Sequence, residues 1–136
     1  MKTKNDNKES LIQWLSTPEA HNYPAASNYL SLLFDEQLAK QMADKLKKAK
    51  ISHFKSKDIF RASNLSLLGV SNMHVKKDIK KIKNKVSLSP ILLVRDTHNG
   101  KLIIADGYHR LCAVYFFDED AVIPCKIISS HTSSNS

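Results

Sequence analysis

The densest group of chemistry-bearing side chains is the run Asp106-Gly107-Tyr108-His109-Arg110: a carboxylate, a glycine, a phenol, an imidazole and a guanidinium in consecutive positions. An apolar, strand-like run from Lys101 to Ala105 leads into it. A helical pattern (Leu111, Val114 and Tyr115, with Ala113 and Phe117) starts directly after it, so His109 and Arg110 fall on the first helical turn. Unpaired N–H groups and the positive end of the helix dipole point outward at such a turn, and an arginine there can grip a phosphate bidentately. Gly107 and Arg110 are therefore candidate phosphate contacts, against the blander alternative of a tight turn and a structural salt bridge. Asp106 has three candidate roles: orienting Arg110, holding Mg2+ through one carboxylate, or capping the helix. His109 can bond a phosphate oxygen or act as acid or base, or simply fix the turn. Tyr108 can stack on a base or be a partly buried aromatic at a helix start.

The neighbouring elements must hold this turn in place. Ser89-Pro90 breaks the chain, and Ile91 to Val94 reads as a strand buried on both faces. His98-Asn99-Gly100 is a turn signal with His98 exposed at its tip, and Leu102 to Ile104 returns as the second strand of a hairpin. The motif helix spans Tyr108 to Phe117, followed by the acidic loop Asp118-Glu119-Asp120 and a third strand, Val122 to Ile128. Pro124 predicts an edge position or a bulge for that strand.

Upstream, the pattern is helical. Ser10 to Leu15 predicts a short amphipathic helix carrying Trp14, and Thr17-Pro18-Glu19 a helix start with Thr17 as N-cap. Pro24 to Phe34 and the Asp35-capped run with Leu38, Met42 and Leu46 predict a helical hairpin. Ser56 to Ala62 fits a helical turn or a short strand, and Asn64 to Asn72, with Gly69, predicts a loop. Asn72 caps a helix ending near Lys85, with Val75, Ile79 and Ile82 buried together with Met73 and Val86. Residues 1–8 and the Ser-rich stretch 129–136 are expected to fray.

The chain of 136 residues, 42% hydrophobic and 25% charged, fits one globular domain with a helical appendage. It has no 18-residue apolar run and its N-terminus lacks an apolar core, so neither a membrane span nor a signal peptide is expected and the expected compartment is cytoplasmic. Cys112 and Cys125 sit in apolar runs, too few for a disulfide framework or zinc site, and read as reduced core residues that could face each other. The net charge of +8 and a pI near 9.5 admit an anionic partner. Lysines cluster at 45, 47, 48 and 50 and again at 76, 77, 80, 81, 83 and 85. Both clusters read as solvated helical faces, because DNA-binding surfaces interleave arginines and aromatics with lysines. Arg61 and Arg95 add positive potential.

The order helix, strand, turn, strand, Asp-Gly-x-His-Arg, helix, strand resembles the superfamily of ParB N-terminal domains and sulfiredoxins. The resemblance rests on Leu88-Ser89-Pro90-Ile91-Leu92-Leu93-Val94 and on Asp106-Gly107-Tyr108-His109-Arg110 with Ala113, within about Asp58 to Ile128. It implies an α/β (α+β) fold: a small mixed sheet with packed helices over 51–128, preceded by an N-terminal helical extension over 9–50. It also implies nucleotide phosphates on Gly107 and Arg110. The sulfiredoxin cysteine is replaced by Tyr108, so that activity is not expected. The Asp-Gly-x-His-Arg order is most similar to the free-serine kinase branch, which implies phosphoryl transfer with ATP, ADP or CTP and Mg2+ as the candidate cofactors. The upstream glutamate of those kinases has no counterpart in Ser63 to His74, leaving Asp106, His109 or His74 as candidate bases. By the same analogy Asn64, Asn72 and His74 form a second side of the pocket, although each residue type is more often a cap or a turn. The alternative is a non-catalytic module that binds DNA through the Lys76–Lys85 helix or a protein through the N-terminal helices.

Overall fold

The computed structural model describes residues 12–69 and 71–130. They form a mixed α+β structure of five helices and four strands: α1 (Asn22–Leu30), α2 (Glu36–Lys48), β1 (Ser52–Lys55), α3 (Ser56–Ser63), α4 (Met73–Lys83), β2 (Ile91–Asp96), β3 (Lys101–Asp106), α5 (Tyr108–Phe117) and β4 (Val122–Ser129). The sheet order is β1-β4-β2-β3; β4 runs parallel to β2, while β1–β4 and β2–β3 are antiparallel. The β2–β3 hairpin closes where the sequence signals it: Gly100 takes φ +64° and Asp96 accepts from the Asn99 backbone and side chain at 3.2 and 2.7 Å.

Strand alternation divides the buried residues between the two faces of the sheet. On one face Ile91, Leu93, Ile104, Ile123 and Cys125 meet Ile59 of α3, Val75, Ile79 and Ile82 of α4, and Leu111 to Val114 of α5. On the other, Leu92, Val94, Ile103 and Ala105 are covered by Tyr23, Ala26 and Leu30 of α1 and Ala39, Met42 and Leu46 of α2. The two N-terminal helices therefore close the second face of the sheet, which explains why β2 is apolar at consecutive positions. Asp35 caps α2 through Leu38 N–H at 2.8 Å, and Lys45, Lys47 and Lys48 lie in its last turn, where the dipole favours them. Lys126, only 7% exposed, donates to the Lys47 carbonyl at 2.8 Å and lies over the Tyr23 ring, joining β4 to the end of α2.

Several expectations change. Ile12 to Leu15 is extended rather than helical: Trp14 bridges Leu88 and Leu15 N–H donates to the Leu88 carbonyl at 2.9 Å, so the ladder replaces the helix; Ser10 and Leu11 lie outside the described residues. Thr17 caps nothing, since α1 begins at Asn22 and Pro24 occupies its first turn. Ser56 to Ser63 is a helix, entered directly from β1, a strand the pattern did not reveal. Met73 and Val86 are 76% and 46% exposed instead of buried, because α4 ends at Lys83 and its buried stripe begins at Val75. β4 is internal, not at an edge. Ser56 N–H donates to the Ala121 carbonyl, which sets the phase of the β1–β4 ladder so that His53 and Pro124 form a non-hydrogen-bonded pair; the proline nitrogen thus faces away from β1, and β2 joins only from Cys125. Ser129 ends β4 and Ser130 N–H donates to Arg95 O, so both are ordered; 1–8 and 131–136 lie outside the described residues.

Candidate functional site

β3 delivers Asp106 to the turn through an irregularity. Leu92 pairs with Asp106 but Leu93 with Ile104, so Ala105 is an extra residue that re-aims Asp106. Gly107 follows at φ +112°, where a Cβ would come within 2.9 Å of both Arg110 Nη2 and Ile91 Cγ1. Only glycine fits there. α5 then begins, its ladder opening with Leu111 N–H to Gly107 O at 2.9 Å and no side chain capping its N-terminus. Its first-turn N–H groups thus have no side-chain acceptor.

Arg110 folds back over Gly107. Its Nη2 lies 3.1 Å from Asp106 Oδ2 and 3.4 Å from Pro90 O, with the two charged side chains only 17% and 19% exposed. Its Nε is buried with no hydrogen-bond partner. Of the roles open to Asp106, orienting Arg110 is the one the geometry shows. The arginine fixes the turn and keeps its positive charge beneath the start of α5.

The outer side of the site is aromatic. His74, on the first turn of α4, lies against His109 with ring centroids 4.7 Å apart, and the Tyr108 ring is 5.6 Å from His109. Tyr108 OH donates to Ser66 O, tying the 64–69 loop to α5. Burial, then the charges of His74 and Arg110, hold His109 below the usual histidine range, opposed by Asp78. Burial likewise pushes the Tyr108 phenol up. Asn72 is the N-cap of α4, accepting from His74 and Val75 N–H at 2.9 and 3.1 Å; it positions His74 rather than facing the turn. Asn64 ends α3 in the left-handed conformation at φ +56° and serves that terminus.

Asp78 is the site residue the sequence reading passed over. It lies on the buried face of α4, and burial raises its pKa while Lys81, Arg110, His109 and His74 oppose that shift. Its only ion pair among the described residues is with Lys81 at 4.0 Å. The signal was present: Asp78 is the only acid in a lysine-rich helix, at i+3 from Val75 and i−4 from Ile82 on the apolar stripe. The site thus gathers two imidazoles, two carboxylates, a phenol and a guanidinium from α4, the end of β3 and the start of α5.

Among the described residues, no group of three or more His, Cys, Asp and Glu side chains could hold a metal ion. Asp106 is committed to Arg110, whose charge opposes a cation, so the side chains gathered here do not fit a directly ligated Mg2+. Cys112 and Cys125 are free and buried, and burial pushes the Cys125 thiol up to about 12, which leaves it inert as a nucleophile. No helix among the described residues is long and apolar enough to cross a membrane. Comparison of the chain with protein-family models, curated proteins and solved structures finds no match.

Proposed function

We propose that the Asp106–Arg110 turn binds the phosphate of a nucleotide or another phosphate-bearing small molecule, as the likeness of the motif to ParB and sulfiredoxin domains implies. The observation that carries this reading is the uncapped N-terminus of α5, flanked by His74 and His109 and underlain by the Arg110 charge. Backbone N–H groups and a helix dipole suit an anion, and the His109 imidazole, kept neutral by burial, supplies a donor without requiring a counter-charge. Tyr108 offers a ring face to a base.

If the protein is an enzyme, phosphoryl transfer is the reaction the site suits best. Positioning and charge neutralisation carry most of such catalysis. The α5 N–H groups and Arg110 would hold the transferring group. His109, neutral near physiological pH because burial lowers its pKa, would take the proton of an attacking hydroxyl, and Asp78 would stabilise the imidazolium so formed. Mg2+ bound with ATP, ADP or CTP would neutralise phosphate charge.

A thermal-shift series against nucleotides and inorganic phosphate, with and without Mg2+, tests the reading. A ligand at about 100 times its Kd stabilises the folded protein by about 2.7 kcal/mol. The expected outcome is a nucleotide-dependent rise in Tm that His109→Gln and His74→Gln each reduce; no rise at millimolar nucleotide overturns it. A second reading, a module that binds nucleic acid, draws on the α4 lysines: Lys76, Lys77, Lys80 and Lys83 are exposed and make no ion pair among the described residues. Such a surface would follow a phosphate backbone with strong salt dependence.

A further inference from the structure

A concave site lies at the opposite end of β3 from Gly107, about 16 Å away along the strand rise. The cavity of about 420 Å³ opens between α3 and the β2–β3 hairpin, on the sheet face that α4 and α5 leave uncovered there. Its floor and walls are Phe54, Ile59, Leu93, Leu102 and Ile127. Ile59 and Leu93 are buried, whereas Phe54 is 38% exposed at the mouth. This size is within the range of small-molecule pockets.

The charge at the rim is unevenly committed. Asp96 accepts two hydrogen bonds from Asn99, which hold its carboxyl below the usual range, and Asp58 lies 3.6 Å from Arg61. Arg95 stands opposite Leu102 on the cavity face, with no side-chain partner among the described residues, whereas Lys101 stands opposite Asp96 on the other face of the hairpin. Uncommitted positive charge thus stands beside an apolar trough. An uncharged apolar ligand would leave that guanidinium unused, and a compact polar anion would leave the trough wet.

We propose that this cavity binds a medium-chain alkyl carboxylate, its chain along Ile59, Leu93 and Ile127 and its carboxylate held by Arg95. The guanidinium fork matches a carboxylate, and the chain replaces water on the apolar floor. The site is independent of the Gly107 turn and of what binds there.

Calorimetric titration of the full chain with decanoate, hexanoate and decanol tests the proposal. Decanoate is expected to bind, with affinity falling roughly tenfold for every two methylenes removed. Arg95→Gln should weaken it about tenfold, and Ala62→Trp, which fills the trough from exposed α3 surface, should abolish it. His109→Gln should leave it unchanged. Absence of binding by decanoate overturns the proposal, as does decanol binding as tightly as decanoate or indifference to Arg95→Gln.

Discussion

Arg110 and Asp78 owe their states to opposite circumstances. Arg110 is half-buried and answered by Asp106; Asp78 is buried and answered among the described residues only at 4.0 Å by Lys81. A carboxyl whose pKa is raised on folding is protonated in the native state at pH values where the unfolded chain has already lost the proton. Its burden on stability is therefore absent below the ordinary aspartate value, about pH 4, and grows as pH rises through the folded value. Asp78→Asn should accordingly stabilise the fold by on the order of 1 kcal/mol at neutral pH and by little near pH 4, measured by denaturation at both. The same substitution removes the one group that raises the His109 pKa, so the His109 titration, followed by NMR, should move lower still. A stabilising substitution that also impairs ligand binding would mark Asp78 as retained for function. His109 has the mirror-image linkage: neutral when folded, it weakens the fold as pH falls from the ordinary histidine range through its lowered value. Gly107→Ala should cost about 2 kcal/mol or more, from the positive φ and the clash with buried Ile91.

At the scale of elements, α1, α2, α4, α5 and the hairpin were legible, whereas the stretch Ile12 to Leu15, α3 and the sheet edge were not. The caps Asp35 and Asn72 are local chemistry and sit where the sequence places them. The residues Val75, Ile79 and Ile82 mark the buried stripe of α4, and Asn99-Gly100 marks the turn between β2 and β3. β1 was missed because Ser52 to Lys55 is short and mostly exposed; only its pairing with β4 makes it a strand. Trp14 misled for the same reason, since its partner Leu88 is far away in sequence. At the candidate site, the turn from Asp106 to Arg110 was readable as a contiguous run. The approach of Asp78 was not, because it depends on α4 crossing against α5, and His74 was suggested only through the family resemblance. The packing of α1 and α2 gives a direct check: Leu46→Ala, at a position fully buried beneath the sheet, should cost about 2–5 kcal/mol in chemical denaturation. Leu32→Ala, 80% exposed in the same hairpin, should change stability by about 0.5 kcal/mol or less.

For the whole molecule, the surplus of positive charge is spread over surfaces with different neighbours. The α4 lysines lie beside the imidazole site, and Arg95 and Lys101 lie beside the apolar cavity at the far end of the hairpin. With a net charge of +8, anion binding anywhere on the surface is favoured and salt-sensitive, so affinity alone says little about where a ligand sits. Location decides. An NMR titration of the full chain with ATP, ADP and CTP, with and without Mg2+, observing the backbone amides and the histidine rings, is the most direct test of the phosphate-binding turn. The account predicts saturable shifts of the Tyr108, His109 and Arg110 amides with a rise of the His109 pKa toward or above its ordinary value, since a bound anion favours the imidazolium. Shifts confined to the α4 lysine face, or a His109 titration indifferent to every nucleotide at saturating concentration, would contradict it.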